Sequence, residues 1–156
     1  MKNIILIPTY NEKENIKLIV AEIFGLLPEI KILVIDDSSP DGTAKTVRSL
    51  MERYSNLSLL ERQQKTGLGD AYKDAISRVV KDKEIYSVIT MDADGSHSPE
   101  YLGSFLDNIG QYDLVIGSRY IKGGGVANWE NWRRYLSKFG NLYAKIFTGL
   151  AINRLT

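Results

Sequence analysis

The chain has 156 residues, of which 44% are hydrophobic and 25% are charged, a composition ordinary for a globular protein with one core. A formal net charge of +1 gives no strong field for nucleic acid, which is therefore not an expected partner. The lack of cysteine and the presence of a single histidine exclude disulfides, thiolate metal sites and multi-histidine metal sites. The apolar runs fall short of the roughly 20 residues that a membrane-spanning helix needs.

Apolar runs of strand length alternate with helical patterns along the chain. In chain order, the pattern predicts a strand at Asn3–Ile7, a helix at Asn11–Leu27, a strand at Lys31–Ile35, a helix at Thr43–Tyr54, a strand at Leu57–Leu60, a helix at Leu68–Val80, a strand at Tyr86–Met91, a helix starting at Pro99 with Ser98 as N-cap, and a strand at Leu114–Gly117. This alternation predicts an α/β fold, a mostly parallel sheet with helices on both faces.

The residues that follow the first two strands are candidates for ligand binding, because ligands of such sheets bind beside the carboxyl ends of the strands. After the first strand, Tyr10 can stack on a base, whereas Asn11 is explained as a helix cap. After the second strand, Asp37 is a candidate acceptor for a base or a ribose hydroxyl. Asp41, in a Pro-Asp-Gly turn, is interpreted as a turn residue or helix cap.

The third strand is followed by KTGLGDAY, in which Lys65 precedes two glycines at a predicted helix start. A glycine-flanked helix start can cradle phosphate, although the segment lacks the Gly-Lys-Ser/Thr ending of a P-loop. Lys65 is therefore a candidate phosphate ligand.

The fourth strand ends in MDADGSHSPE, with two carboxylates, Asp92 and Asp94, around one small residue. Carboxylates this close repel each other unless a cation compensates, and oxygen ligands suit Mg²⁺ or Mn²⁺. The alternative is two solvated loop carboxylates. His97 either hydrogen-bonds the backbone of its own turn or positions the site.

The last third of the chain supplies a fixed cation and two further features. Arg119, in GSRY, suits a diphosphate, and Gly123–Gly125 predict a mobile loop, a candidate lid. Trp132–Leu150 forms an apolar helical stripe that either packs on the domain or rests on a membrane or lipid substrate.

Five segments together resemble the polyprenol-phosphate (dolichol-phosphate) mannosyltransferases, inverting glycosyltransferases with the GT-A fold. The segments are IPTYNEKENI, VIDDSSPDGT, KTGLGDAY, MDADGSHSPE and GSRYIKGGGVANWENWRRYLSKFGNLYAKI. They follow the order and the spacing of the family over nearly the whole chain. The first two are shared by a broad family, whereas the last two are much more specific.

The resemblance implies a GT-A nucleotide-diphospho-sugar transferase fold, a GDP-mannose donor, a metal cofactor (Mg²⁺ or Mn²⁺) and a polyprenyl or dolichyl phosphate acceptor. The implied location is cytoplasmic, in peripheral contact with the cytosolic membrane face; the oligomeric state stays open. Positions that match nucleotide-binding residues are Pro8, Tyr10, Glu12, Ile35 and Asp37. Positions that match the metal and diphosphate site are Asp92, Ala93 and Asp94, with Ser96 as a further metal ligand and Arg119 as a donor contact. Asp92, Asp94 and Arg119 are the residues expected to carry catalysis.

The end of the chain departs from the family pattern. Members continue into an Asp-x-Thr segment and further elements, whereas here Arg154 stands where that Asp is expected, two residues before Thr156. We therefore expect residues 1–156 to form a single GT-A domain that lacks its C-terminal, acceptor-side part.

Three alternatives remain open from the sequence. The first is transfer of another sugar, such as glucose from UDP-glucose, to the same lipid phosphate. The second is a receiver-like phosphoacceptor domain. The segment ILVIDDSS supplies the acid pair of such a domain, but the later strand exit offers Arg119 instead of the lysine that such domains use. The third is a nucleotide-sugar binding module without catalysis.

Overall fold

The structure, a computed structural model, describes residues 2–117 together with Trp132 and Phe139. Met1–Gln111 form one compact unit, and Tyr112–Thr156 belong to a second. The strands of the first unit are β1 (Lys2–Thr9), β2 (Lys31–Asp36), β3 (Leu57–Glu61) and β4 (Ile85–Thr90). Its helices are α1 (Lys13–Leu26), α2 (Thr43–Met51), α3 (Leu68–Val79) and α4 (Leu102–Asn108), and a 3₁₀ turn at Pro99–Tyr101 leads into α4. The strands form one parallel sheet in the order β3-β2-β1-β4.

The two faces of the sheet bury separate apolar clusters. Ile5 and Ile7 of β1 point to the face that carries α1 and α2, whereas Ile4 and Leu6 point to the face that carries α3. Because β1 and β2 are covered on both faces, their sequences are continuous apolar runs rather than alternating ones. The predicted α/β fold, with a parallel sheet and helices on both faces, is confirmed.

The start of α1 differs from the prediction. Asn11 is not the cap: its φ of 61° lies in the left-handed region, and its N–H donates to Ser39 Oγ at 3.0 Å. The first free N–H groups of α1 instead bond to side chains of the loop after β2 and of the first residue of α2. Glu12 N donates to Thr43 Oγ1 at 3.1 Å, and Lys13 N donates to Asp41 Oδ2 at 3.1 Å. A cap from a distant loop leaves no local sequence pattern, which explains the error.

The predicted strand Leu114–Gly117 is wrong, because these residues have no strand conformation. Leu114 is 72% exposed and Ile116 is 54% exposed. An apolar run becomes a strand only where a neighbouring strand can pair with it, and none of the described residues does so. Within the predicted helix 68–80, Ile76 is also exposed rather than packed in the core. Ser98 does occupy the cap position before Pro99, but its side chain makes no capping hydrogen bond.

The predicted helix Trp132–Leu150 lies mostly outside the described residues. Trp132 and Phe139 have helical backbone and are 57% and 70% exposed. In the part of the chain that the structure describes, no helix has the length and apolar character needed to cross a bilayer.

Asp41 joins two helix starts and offers a test of this arrangement. Its Oδ1 accepts the Thr43 N–H at 2.9 Å and the Thr43 hydroxyl at 2.6 Å, in addition to the bond from Lys13. Burial opposes ionisation, but the bonds from Thr43 and Lys13 outweigh it, so the pKa of Asp41 lies below its ordinary value.

We expect Asp41→Ala to lower the free energy of unfolding by about 1 kcal/mol at pH 7, since one cap is typically worth that much. Because the folded-state pKa is depressed, this stabilisation is present above the unfolded-state pKa and is lost as the pH falls through the folded-state value. Urea unfolding of wild type and variant at pH 7 and pH 3 measures both effects. Asp41→Asn, which keeps one acceptor oxygen, should lose less. Equal stability of wild type and Asp41→Ala at pH 7 would contradict this role.

Candidate donor and metal site

Four predicted loops meet at one edge of the sheet, because the strands are parallel and each loop follows a carboxyl end. β1 and β2 run in register to the pair Thr9↔Asp36, and β2 and β3 run to Asp36↔Glu61. Pro8 and Ile35 are paired neighbours just inside this edge. Ile35 is fully buried, and its carbonyl oxygen accepts a hydrogen bond from Thr9 Oγ1 at 3.3 Å, so it lies behind the surface of this edge.

The acid pair after β2 divides into two roles. Asp36 is 1% exposed and accepts hydrogen bonds from Thr9 Oγ1 (3.1 Å), Ser39 N (2.9 Å) and Ser39 Oγ (2.6 Å). These bonds compensate the burial of the carboxylate and fix the turn after β2. Asp37 is the member that faces the loop after β3.

Asp37 pairs with Arg62, a residue that the sequence analysis did not single out. Arg62 Nη1 forms an ion pair with Asp37 Oδ1, and both side chains are 9% exposed. Arg62 Nε donates to Asp74 Oδ2 at 2.8 Å, and Nη2 donates to Thr66 Oγ1. The Gly67 N–H donates to the other oxygen of Asp37 at 3.3 Å. Asp36 pairs with Glu61, so the next residues, Asp37 and Arg62, are expected to be neighbours once the strand order is known.

The structure brings together Tyr10 and Lys65, two predicted ligand-binding residues. The Lys65 ammonium lies 3.4 Å from the centre of the Tyr10 ring, a cation–π contact. Tyr10 remains 39% exposed. Glu12, the third predicted residue of this loop, accepts a hydrogen bond from Asn15 Nδ2 at 2.7 Å. An exposed aromatic ring and a cation therefore face the same side of the edge.

The segment after β4 keeps the alternation of a strand. Met91 and Ala93 are buried, whereas Asp92 is half-buried and Asp94 is exposed, so the two carboxylates leave the same side of the chain. Asp94 Oδ1 accepts the Ser96 N–H at 2.9 Å. Hydrogen bonds from the Ser96 side chain and backbone lower the pKa of Asp94, which favours its ionised form.

His97 closes the same loop. Its Nδ1 accepts the backbone N–H of Asp92 at 3.1 Å, and its Nε2 lies 3.8 Å from Asp92 Oδ2. Gly95, with a φ of 78°, makes the turn between them. The interpretation of His97 as a group that hydrogen-bonds its own turn is confirmed.

Tyr72 of α3 was also missed by the sequence analysis. Burial first, and then the charge of Asp92, raise the pKa of Tyr72 to about 12, although a hydrogen bond with the Thr90 side chain opposes the shift. Tyr72 therefore carries its hydroxyl proton at neutral pH. Its position links α3 to the end of β4 and to Asp92.

The donor set after β4 fits a hard divalent cation. Asp92 and Asp94 supply oxygen ligands, and Mg²⁺ is commonly held by one or two carboxylates together with substrate phosphates. Among the described residues, no group of three or more acidic, histidine or cysteine side chains could hold a metal by itself.

Comparison with known proteins identifies the family. Residues 4–154 match the family model "Glycosyl transferase family 2". The chain belongs to glycosyl transferase family 2. Over 159 residues it is 43% identical to "Polyprenol monophosphomannose synthase" of Mycolicibacterium smegmatis, covering 99% of this chain and 59% of the relative. It is 38% identical to "Undecaprenyl-phosphate mannosyltransferase" of Micrococcus luteus, covering 100% of this chain and 64% of the relative. The chain thus spans about three-fifths of the length of these curated relatives.

Solved structures of glycosyltransferases share the fold. A mannosyltransferase (PcManGT) of Pyrobaculum calidifontis, solved in complex with GDP-Man and Mn²⁺, aligns with a TM-score of 0.51 and 26% identity over 60% of this chain and 27% of that chain. TarS (1-349) of S. aureus, in complex with UDP, aligns with a TM-score of 0.56 and 24% identity over 82% of this chain and 38% of that chain. The predicted GT-A fold class is confirmed. Family membership also removes the receiver-like alternative.

Two parts of the predicted family 2 site lie outside the described residues. These are Arg119 and the glycine loop Gly123–Gly125. The described part brings together Tyr10, Lys65 and Asp37 at one edge of the sheet, with Asp92 and Asp94 at the end of the neighbouring strand.

Asp36 holds the turn after β2, whereas its neighbour Asp37 is a candidate ligand-binding residue. Substitution of Asp36 should therefore change the stability of the fold. We expect Asp36→Ala to lower the free energy of unfolding by about 1–3 kcal/mol, because three hydrogen bonds from Thr9 and Ser39 to a buried carboxylate are lost. Thermal and urea unfolding followed by circular dichroism measure this loss. Asp107→Ala, at an exposed position of α4, is the control and should change stability by less than about 0.5 kcal/mol. A stable Asp36→Ala variant would contradict the structural role.

Proposed function

We propose that this chain carries the donor-binding part of an inverting mannosyltransferase. The enzyme moves mannose from GDP-mannose to a polyprenyl or dolichyl phosphate and requires Mg²⁺ or Mn²⁺. The observation that carries the proposal is the placement of Asp92 and Asp94 after β4, beside the strand that leads to Tyr10. Similarity to polyprenol-phosphate mannose enzymes along the whole chain supports the sugar and the acceptor.

The metal would be held by the carboxylates of Asp92 and Asp94, with Ser96 as a further oxygen ligand. When bound, it neutralises charge on the departing diphosphate. The low pKa of Asp94 keeps this carboxylate ionised and ready for a cation. Ala93, which is buried between the two acids, fixes the backbone from which both side chains project.

The nucleotide would lie along the ends of β1 and β2. Tyr10 offers a ring for base stacking, and the loop from Pro8 to Glu12 forms one wall of the site. Asp37 would form the opposite wall, and Ile35, which is fully buried, would support it from the sheet. Lys65 provides a positive charge for the diphosphate beside Tyr10, and Arg119 is proposed as a second one.

The transfer itself is a single displacement. An oxygen of the lipid phosphate attacks the anomeric carbon of mannose, the bond from that carbon to the diphosphate oxygen breaks, and GDP leaves. A phosphate is already largely ionised near neutral pH, so the acceptor needs positioning more than a general base. This agrees with the use of His97 to hold its own loop.

The remaining parts of the proposal concern the whole protein. Residues 1–156 belong to one GT-A domain, and the protein acts as a peripheral enzyme at the cytosolic membrane face, where its acceptor lies. The helix predicted at Trp132–Leu150 is the proposed membrane or lipid contact. The similarity of the chain to enzymes of lipid-phosphate substrates supports this location.

Metal-dependent donor binding tests the role of the acid pair. We expect GDP-mannose to bind the 156-residue chain in the presence of Mn²⁺ or Mg²⁺, and chelator to weaken that binding at least about tenfold. Asp92→Ala with Asp94→Ala should abolish the metal dependence, because the carboxylates that hold the cation are gone. Isothermal titration calorimetry measures each case.

Asp107→Asn removes an exposed carboxylate from α4 and is the matched control for this titration. It should bind GDP-mannose as the wild type does. Full metal-dependent binding by the double alanine variant would refute the assignment of the metal site. No binding by a folded wild-type chain would refute the proposed donor site within these residues.

Donor and acceptor identity need a separate measurement. We expect GDP-mannose to compete at least about tenfold better than UDP-glucose, which corresponds to roughly 1.4 kcal/mol. Transfer of labelled mannose into a butanol-extractable polyprenyl phosphate product tests the reaction itself. Preference for UDP-glucose would favour the glucosyl alternative. Donor binding without transfer, by a chain extended to the length of its relatives, would favour a non-catalytic module.

A further inference from the structure

Arg62 joins three different segments at the donor edge. Its guanidinium contacts Asp37 at the end of β2, Thr66 in the loop before α3, and Asp74 within α3. Its backbone N–H also donates to Asp36 O at 2.9 Å, which continues the β2–β3 pairing. The Arg62 side chain is 9% exposed, so it contributes contacts to its neighbours rather than surface to the site.

These contacts extend into a closed ring around the donor edge. The Asp37 N–H donates to Thr9 O at 3.0 Å, which ties the end of β2 to the residue before Tyr10. The Asp37 carboxylate accepts bonds from Arg62 and from Gly67, so it holds both ends of the loop 62–67. Lys65, inside this loop, lies over the Tyr10 ring. Arg62 and Gly67 are the two groups that join the Asp37 carboxylate to this loop, and of the two Arg62 also reaches α3 through Asp74.

Alternative anchors for this loop are weak among the described residues. Gln63, Gln64 and Lys65 are exposed, and the loop borders a cavity of about 360 Å³ that Arg62, Thr66 and Asp74 help to line. An exposed loop beside a cavity has little packing of its own, so its position depends on the hydrogen bonds at its two ends. At one end Arg62 itself binds the Asp37 carboxylate, and at the other end the Gly67 N–H binds the same carboxylate.

We propose that Arg62 is the positioning residue of the donor site: it fixes the Asp37 carboxylate and the loop 62–67 on α3, and thereby sets Lys65 against Tyr10. The proposal rests on the proposed GDP-mannose site and explains how that site is ordered before the donor binds. Arg62 itself acts through Asp37 and Lys65. It is therefore distinct from the residues that would touch the donor.

Titration of GDP-mannose with Mn²⁺ into the 156-residue chain tests this proposal. We expect Arg62→Gln to weaken binding at least about tenfold, since misplaced contact groups lose affinity steeply. Arg62→Lys, which can restore one ion pair to Asp37, should recover part of the loss. Asp74→Asn removes only the outer anchor, at a side chain that is 54% exposed, and should cost a few-fold.

Arg48→Gln is the matched control, because Arg48 pairs with Glu61 at the same strand end with both side chains exposed. Its affinity should stay within about twofold of the wild type. A double-substitution cycle separates positioning from a general structural loss. When Asp37 is already Asn, the additional cost of Arg62→Gln should shrink, whereas independent effects add.

The outcomes distinguish this proposal from the proposed function. If the wild-type chain binds no GDP-mannose, the proposed function fails. If the wild type binds and a folded Arg62→Gln variant binds equally well, or if its cost adds fully to that of Asp37→Asn, the positioning role is overturned. If Arg62→Gln shows no cooperative melting, the affinities of Asp74→Asn and Arg62→Lys test the role instead. Wild-type affinity in both variants overturns the positioning role, and graded losses of affinity support it.

Discussion

The parallel pairing of β2 between β1 and β3 is the constraint on which the rest of the site depends. Because all four strands run in the same direction, each strand exit falls on one edge of the sheet. β2 is central among the first three strands, so the acids that follow it are within reach of the loops after β1 and β3. The same pairing that buries Ile32 and Val34 therefore places Asp37 against Arg62. Fold and site are specified by one set of backbone hydrogen bonds.

The carboxylates at this edge differ in function according to how they are satisfied. A buried carboxylate is tolerated only with hydrogen-bond donors or a cation, and Asp36 has the Thr9 and Ser39 donors. Asp41 likewise satisfies N–H groups at two helix starts. Asp92 and Asp94 instead lie at more exposed positions after β4, where Asp94 accepts the Ser96 N–H and Asp92 lies 3.8 Å from His97 Nε2. These two acids are less buried than Asp36 and have fewer donors, which is why they carry the proposed metal site.

The sequence predicted the features that depend on local periodicity and missed those that depend on distant partners. Apolar runs placed β1 to β4 within a few residues, because strands buried on both faces need such runs. The same rule failed at Leu114–Gly117, where no described strand provides a partner. Asn11 is predicted as a cap because its residue type is common at that position, yet the Lys13 N–H bonds to Asp41, which lies 28 residues after Lys13. Arg62 and Tyr72 were missed because their roles arise only from strand order and helix placement.

The charge balance of the site argues for a cation beyond those that the described residues supply. A nucleoside diphosphate that approaches Asp92 and Asp94 meets two carboxylates, and like charges at short range disfavour binding. His97 is committed to its own loop, because its Nδ1 accepts the Asp92 N–H. Arg62 is committed to Asp37 and Asp74, which leaves Lys65 at the Tyr10 ring as a nearby positive group. Within residues 2–117, this one ammonium does not offset two carboxylates and a diphosphate. A divalent cation between the acid pair and the diphosphate converts that repulsion into attraction, so donor affinity and metal affinity should rise together.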